Sequence, residues 1–175
     1  MVAAERTRKD LETAQMKQSE VLERKTEEAK EAETITTMSE KSAVIKHMDI
    51  EDSYFSKVLP HEEKYRFFLK RNLRIGKYEY DGIAIAKENN IDLIYEIKYW
   101  KQPDPSRIRK SLERLYQSGI NYETVKHRNF RCILVIVTSK EKLGEMSYRV
   151  GVLSHENVNY DFSKIEIRYV AEDIL

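Results

Sequence analysis

Three charged residues stand in two apolar segments whose composition is typical of strands. Asp81 lies within Tyr78–Ala86, and Glu96 and Lys98 lie within residues 91–100. Both segments are rich in aromatic and branched residues, so each predicts a β-strand. Because side chains alternate along a strand, Glu96 and Lys98 project from the same face. A carboxylate and an ammonium group in an apolar strand need polar partners, which makes these residues candidates for a chemical site.

The loop between the two strands determines which residue faces Glu96. Residues 87–90 predict a four-residue hairpin loop, so Ala86 pairs with Ile91 and Asp81 lies opposite Glu96. Opposed Cβ atoms are about 4.5–5.5 Å apart, and two carboxylates at that distance repel unless a cation lies between them. A slip of one residue would turn Asp81 to the other face of the sheet, so this inference depends on the loop length.

A pair of carboxylates with a nearby lysine suits metal-dependent phosphate chemistry. Mg²⁺ and Mn²⁺ prefer hard oxygen ligands, and Mg²⁺ often borrows further ligands from substrate phosphates. Lys98 lies one strand step from Glu96. Its ammonium can stabilise charge that develops on a phosphate or can orient the attacking water. We therefore expect a Mg²⁺ or Mn²⁺ site at these residues.

In Asp81 and the triplet Glu96-Ile97-Lys98 the chain resembles the PD-(D/E)XK nuclease superfamily, which has the fold of many restriction and repair endonucleases. The resemblance implies that Asp81, Glu96 and the carbonyl of Ile97 bind the metal and that Lys98 is catalytic. Tyr80 stands where the signature has proline. The resemblance also implies a core ordered helix, strand, strand, strand, helix, strand.

The same resemblance points to two further residues on helices. The first helix of such enzymes often offers another acid, for which Glu62 is the candidate. Some members carry a Gln-x-x-x-Tyr motif on the second helix. Gln117 is suitably placed for it, but position 121 is Asn and the tyrosine follows at position 122.

A local excess of basic residues follows the second strand. Residues 101–131 contain eight Lys and Arg against three Asp and Glu, although the whole chain carries a net charge of only +1. Such an excess beside a site fits a phosphate-rich partner, and it also fits a solvated helix face. The candidate nucleic-acid contacts are Lys101, Arg107, Arg109, Lys110 and Arg114.

The pattern of apolar residues predicts an α/β domain with a mixed sheet flanked by helices, in a restriction-endonuclease-like core. Helices are predicted at residues 61–73 and 106–125, with a short one near 141–146. Beyond the two strands already described, further strands are predicted at residues 131–138, near 149–153 and at 165–170.

The first fifty residues differ from the rest of the chain. Residues 3–43 contain neither Pro nor Gly and are dominated by helix formers, which predicts one long charged helix. We therefore divide the chain into an N-terminal helical extension or linker, residues 1–50, and a nuclease domain, residues 51–175. The sparse apolar positions make only a weak coiled-coil seam. The extension could contact a protein partner or a second copy of the chain.

Composition also limits the cellular setting. The single cysteine, Cys132, lies in an apolar run and cannot form a disulfide within the chain. No segment approaches the roughly 18 apolar residues of a membrane span, and the N-terminus lacks the apolar stretch of a signal peptide. We expect a cytoplasmic nuclease, endo- or exonucleolytic, without membrane contact, that cleaves phosphodiester bonds in DNA rather than RNA. The alternative is a catalytically inactive nuclease-fold module that binds nucleic acid or protein.

Overall fold

A mixed six-stranded sheet organises the chain. The structure, a computed structural model, describes residues 13–31, 40–60, 67–156 and 161–175. The strands follow one another across the sheet in chain order. They are β1 (Thr13–Gln15), β2 (Phe67–Ile75), β3 (Tyr78–Ala86), β4 (Ile91–Tyr99), β5 (Asn129–Thr138) and β6 (Ile165–Ala171).

The sheet is antiparallel from β1 to β4 and parallel from β4 to β6. The β2–β3 hairpin turns at Gly76, whose φ of 61° suits glycine. The β3–β4 hairpin pairs Gly82 with Tyr95 and Ala84 with Leu93, which is the predicted register. The two parallel connections each contain a helix, as a crossover between parallel strands requires.

In the described parts of the chain, four α-helices flank the sheet. They are α1 (Gln18–Glu31), α2 (Glu40–Ser53), α3 (Pro105–Lys126) and α4 (Leu143–Glu156). A π-helical turn, Tyr54–Val58, continues α2. Asp104 caps α3 by accepting a hydrogen bond from the Arg107 backbone N–H at 2.9 Å, as an N-cap aspartate does.

Each face of the sheet has its own apolar core. Ile94 of β4 packs on one face with Leu112 of α3 and Val150 of α4. Tyr95 of β4 packs on the other face with Tyr54, which follows α2. The alternation predicted for β4 is therefore confirmed, and the architecture is α/β with a mixed sheet flanked by helices.

The prediction of a helix at residues 61–73 is wrong for its described part. Phe67–Ile75 is strand β2, paired along its length with β3. Its aromatic and aliphatic residues fit a period of two as well as a helical period, and a short apolar run does not separate the two possibilities. The helix that precedes this strand is α2, which the sequence patterns did not delimit.

The prediction of one long N-terminal helix is not confirmed. Within the described residues, Thr13–Gln15 forms an edge strand beside β2, and α1 and α2 are separate helices. Pairing with the exposed edge of β2 overrides the weak helix preference of three residues. The division of the chain at residue 50 stays a prediction, although the contacts of β1 and α1 cross it.

The strand predicted near residues 149–153 is also wrong, because this segment belongs to α4. Met146 and Val150, four residues apart, are both buried on one side of the helix. The predicted short helix near residues 141–146 is its beginning, and the last predicted strand corresponds to β6. Among the described residues, no helix combines the length and apolar character that crossing a bilayer requires.

Candidate active site

Asp81 occupies a distorted point in the middle of the sheet. Its side chain is fully buried, and Oδ2 accepts a hydrogen bond from the Ile97 backbone N–H at 2.9 Å. On the neighbouring strand, Asn72 has a positive φ of 53°. Gly82, which follows Asp81, leaves room for the Phe55 ring. A Cβ added at Gly82 would lie only 2.6 Å from that ring. The carboxylate thus replaces a backbone acceptor where β3 and β4 diverge.

The position of Ile97 bears on its predicted role as a carbonyl ligand. The N–H and C=O groups of one strand residue point to the same side of the strand. Because the Ile97 N–H points to Asp81, its carbonyl also faces β3, while its side chain lies in the core beneath α2. The backbone of Ile97 therefore lies beside the acid that the resemblance pairs with it.

Glu96 and Lys98 project from β4 on the face that packs against α3. Both are largely buried, and Lys98 Nζ lies 3.1 Å from Glu96 Oε1. The pKa of Glu96 is raised, first because the side chain is buried and then because Asp81 is negatively charged. Burial lowers the pKa of Lys98, but Glu96 and Glu28 outweigh burial, so the pKa is raised and the ammonium stays charged.

A third acid, Glu28 of α1, completes a metal-binding geometry that the sequence patterns did not predict. Ligand oxygens of Glu28, Asp81 and Glu96 all lie within 4.8 Å of one another. Glu28 Oε1 is buried and accepts no hydrogen bond from the residues that the structure describes. A buried carboxylate oxygen without a donor costs about 1–3 kcal/mol or more. These oxygens fit a divalent cation, because such an ion would satisfy all three acids together.

Glu51 of α2 is a fourth acid beside this triad. It contacts Lys25 directly and lies 3.2 Å from Arg71. Burial, followed by the negative charge of Asp81, raises the pKa of Glu51 to about 7. The raised pKa of Glu51 therefore reflects the high density of negative charge in this part of the interior. We call the four residues Glu28, Glu51, Asp81 and Glu96 the acidic cluster.

Two basic residues of α1, which we call the cationic pair, lie among these acids. Arg24 Nη2 is 3.0 Å from Asp81 Oδ1 and 3.2 Å from each carboxylate oxygen of Glu96. Lys25 Nζ is 3.1 Å from both Asp81 Oδ1 and Glu28 Oε2. Burial alone would raise the pKa of Asp81, but Arg24 and Lys25 outweigh burial and hold the pKa well below its usual range.

A cavity of about 700 Å³ opens between α1 and α3 beside the cluster. Its lining includes Glu96 and Lys98, together with Arg74 and Lys77 from the β2–β3 hairpin. A smaller cavity of about 270 Å³ shares Glu96 and Lys98 and extends to the beginning of α3. The two cavities form a groove that passes the acidic cluster and has basic residues at both ends.

The predicted nucleic-acid contacts occupy different places along α3. Arg107, Lys110 and Arg114 line the smaller cavity beside Lys98. Arg109 is exposed on α3, and Lys101 is half-buried before the helix; neither is among the described lining residues of the groove.

Of the two helix residues carried over from the resemblance, only Gln117 lies in the described chain, and it does not join the cluster. Gln117 is exposed on α3, and the groove is lined instead by its neighbour Ser118. Glu62 lies outside the described residues. The acids that helices do supply, Glu28 and Glu51, come from α1 and α2, where glutamate is frequent and no spacing distinguished them.

The chain matches no family model, no curated protein and no solved structure. The chemistry of the site is therefore argued from its own geometry. That geometry brings together buried carboxylates, a charged lysine and a groove lined by both acidic and basic side chains.

Proposed function

We propose that this protein is a metal-dependent nuclease that hydrolyses phosphodiester bonds in DNA, with Mg²⁺ or Mn²⁺ as the metal. The observation that supports it best is the convergence of Glu28, Asp81 and Glu96 oxygens within 4.8 Å, with Lys98 Nζ 3.1 Å from Glu96. Glu28, Asp81 and Glu96, with the Ile97 carbonyl, are the groups that would hold the ion.

The chemistry of this arrangement suits phosphate-ester hydrolysis. A divalent ion bound by these oxygens would polarise a phosphoryl oxygen and acidify a water. Lys98 can donate hydrogen bonds to a phosphate oxygen and stabilise the charge that forms there. Because Lys98 is largely buried beside Glu96, its ammonium is held in place before substrate arrives. Such a fixed group stabilises charge without reorganising during the reaction.

Two further features support the proposal. The described elements from α2 to β5 run helix, three strands, helix, strand, and this is compatible with the core order that the resemblance to PD-(D/E)XK nucleases implies. The basic residues Arg107, Lys110 and Arg114 line the groove that continues from Lys98, where they can contact phosphates along a nucleic-acid strand.

The experiment compares two buried aspartates of the same hairpin. Purified full-length protein is incubated with labelled single-stranded DNA, duplex DNA and RNA, with Mg²⁺ or Mn²⁺ and with EDTA. We expect Asp81→Asn to reduce cleavage at least about a hundredfold. Asp92→Asn should retain cleavage, because Asp92 is also fully buried but does not belong to the cluster. Cleavage in EDTA, or equal cleavage by Asp81→Asn and wild type, would refute the assignment.

One observation favours a second function, a catalytically inactive module that binds nucleic acid or protein. Arg24 already bridges Asp81 and Glu96, and Lys25 joins Asp81 to Glu28, so the cationic pair could serve as a permanent structural substitute for a metal. If the protein is such a module, its affinity for nucleic acid should be the same with and without Mn²⁺. The nuclease predicts that Mn²⁺ binds and that Glu96→Gln weakens this binding.

A further inference from the structure

The position of Arg24 bears directly on how an ion could reach the site. Its Nη2 atom lies 3.0 Å from Asp81 and 3.2 Å from both oxygens of Glu96. A divalent ion that bridges the same two carboxylates requires that space, because its ligand distances are about 2.0–2.1 Å for Mg²⁺. The guanidinium and the ion therefore exclude one another.

The fit of Arg24 in this place is incomplete. Arg24 Nη1 is buried and donates no hydrogen bond within the described part of the chain. Glu28 Oε1, one turn later on the same helix, is buried and accepts no hydrogen bond from the described residues, although Arg24 Nε and Lys98 Nζ lie 3.5 Å and 3.8 Å from it. A side chain whose role is only to neutralise the acids would be expected to satisfy these groups, since each unsatisfied buried group destabilises the folded state.

The outer side of the same helix presents acids to the groove. Glu20, Glu23 and Glu27, which we call the acidic row, all line the larger cavity. Glu20 is ion-paired with Arg74, one of the basic residues at the end of the groove. Glu20 thus occupies a basic residue that a phosphate could otherwise contact, and the three carboxylates of this wall repel a nucleic-acid strand.

Among the residues that the structure describes, little apolar surface holds helix α1 to the rest of the protein. Ala29 is its fully buried apolar side chain, in a small cluster with Ala43 and Val44 of α2. Leu22 is 40% exposed. Because ion pairs dominate its attachment, a competing divalent ion and a competing polyanion act on the contacts that hold the helix in place.

We propose that α1 is an autoinhibitory helix, whose cationic pair takes the place of the metal and whose acidic row takes the place of nucleic-acid phosphates. This inference rests on the proposed metal site and adds its regulation. The metal displaces the cationic pair from between the carboxylates, while Glu28 of the same helix stays among the groups that hold the ion. The nucleic-acid strand displaces the acidic row from the groove. The helix therefore raises the concentration of both that is needed for occupancy.

The first test measures Mn²⁺ binding without nucleic acid, by calorimetry on the full-length protein. Arg24→Gln removes the competing charge, and we expect it to lower the Kd for Mn²⁺ at least about tenfold. Lys30→Gln is the matched control, since Lys30 is an exposed cation of the same helix, 3.8 Å from Glu27. It should bind Mn²⁺ as the wild type does. An Arg24→Gln protein with unchanged or weaker Mn²⁺ binding overturns the proposal.

The second test remains informative even if Arg24→Gln fails to fold. Glu23→Gln with Glu27→Gln removes two exposed acids of the row, and binding of a labelled single-stranded oligonucleotide is measured in EDTA. We expect the Kd to fall about tenfold relative to Glu141→Gln with Glu145→Gln. That control loses the same charge near the beginning of α4. Equal gains in the two double variants overturn the proposal.

These outcomes separate the inference from the nuclease itself. Tighter Mn²⁺ and oligonucleotide binding by the α1 variants, with cleavage by none of them, supports the autoinhibitory helix and refutes the nuclease. Cleavage by the wild type that depends on Asp81, with Mn²⁺ affinity unaffected by Arg24→Gln, supports the nuclease and refutes the autoinhibitory helix.

Discussion

Asp81 and Asp92 lie at opposite ends of one hairpin, and both are fully buried. Asp92 has a complete set of partners. It accepts hydrogen bonds from Tyr122, from Arg128 Nη2 at 2.7 Å and from the Ala86 backbone N–H at 2.9 Å. With one acid and one cation, this group is electrically balanced, and it joins the β3–β4 loop to the end of α3.

Asp81 is surrounded differently. Two cations contact it, but those cations are shared with other buried acids of the cluster. The acidic cluster has four members, and four basic side chains contact it, each at more than one acid or at the edge of the cluster: Arg24, Lys25, Arg71 and Lys98. The comparison teaches that burial of a carboxylate does not by itself indicate a site. A group of buried carboxylates that share their cations does indicate one when an oxygen such as Glu28 Oε1 accepts no hydrogen bond from the described residues, because a further cation can satisfy that oxygen.

The largest expected effect on stability is the difference between two substitutions, Arg128→Met beside Asp92 and Glu96→Gln beside Asp81. Arg128→Met leaves Asp92 buried without its cation, which costs about 3–5 kcal/mol in a fully buried pair. Because the Arg128 side chain is 31% exposed, we expect about 2–3 kcal/mol. Glu96→Gln should change the free energy of unfolding little or raise it, since it relieves repulsion with Asp81. Urea denaturation in EDTA measures both.

The contrast between the two aspartates would be contradicted if Arg128→Met and Glu96→Gln lowered the free energy of unfolding equally. Equal destabilisation would mean that the carboxylates of the acidic cluster are satisfied by their partners as well as Asp92 is. Glu96 would then be needed for folding rather than held for an ion. Lys30→Gln, an exposed charge change of the same size, serves as the baseline for both variants.

The contrast was partly visible in the sequence. Asp81, Glu96 and Lys98 could be placed together because a period-two pattern and a short loop fix both the face and the register of a hairpin. The observed pairing of Gly82 with Tyr95 follows that register. These constraints are local, so they can be inferred without knowing the rest of the fold.

The residues of α1 could not be predicted in the same way. Arg24, Lys25 and Glu28 stand among similar charged residues in a segment where helical spacing offers no apolar face to orient them. Their partners on the sheet are more than fifty residues away along the chain, and only packing of α1 beside the sheet brings them together. The helix expected at residues 61–73 is wrong over its described part for a related reason, because pairing with β3 decided the conformation of β2.

A smaller effect distinguishes the two groups by their response to a divalent ion. Mn²⁺ at ten times its Kd should stabilise the wild type by about 1.4 kcal/mol, which raises Tm by about 3–6 °C in a chain of this size. Asp92→Asn should keep this gain, whereas Glu96→Gln should lose most of it. Differential scanning fluorimetry with Mn²⁺ and with EDTA makes the measurement. A gain of equal size in all three proteins would place the ion outside the cluster.

The smallest expected effect is a change in the free energy of unfolding at acid pH, and it concerns Asp92 alone. Burial raises the pKa of Asp92, but hydrogen bonds from Arg128, Tyr122 and the Ala86 N–H outweigh burial, so the pKa lies below the usual 3.8. A carboxyl whose pKa is lowered on folding stabilises the protein above pH 3.8 and loses that contribution as the pH falls through the folded pKa. The wild type should therefore exceed Asp92→Asn in free energy of unfolding by about 1 kcal/mol at pH 6, and this difference should shrink below pH 4. Urea denaturation in EDTA at several pH values tests it. If this difference stays constant or grows as the pH falls, the charge of Asp92 does not stabilise the fold. The contrast between Asp92 and Asp81 would then not hold.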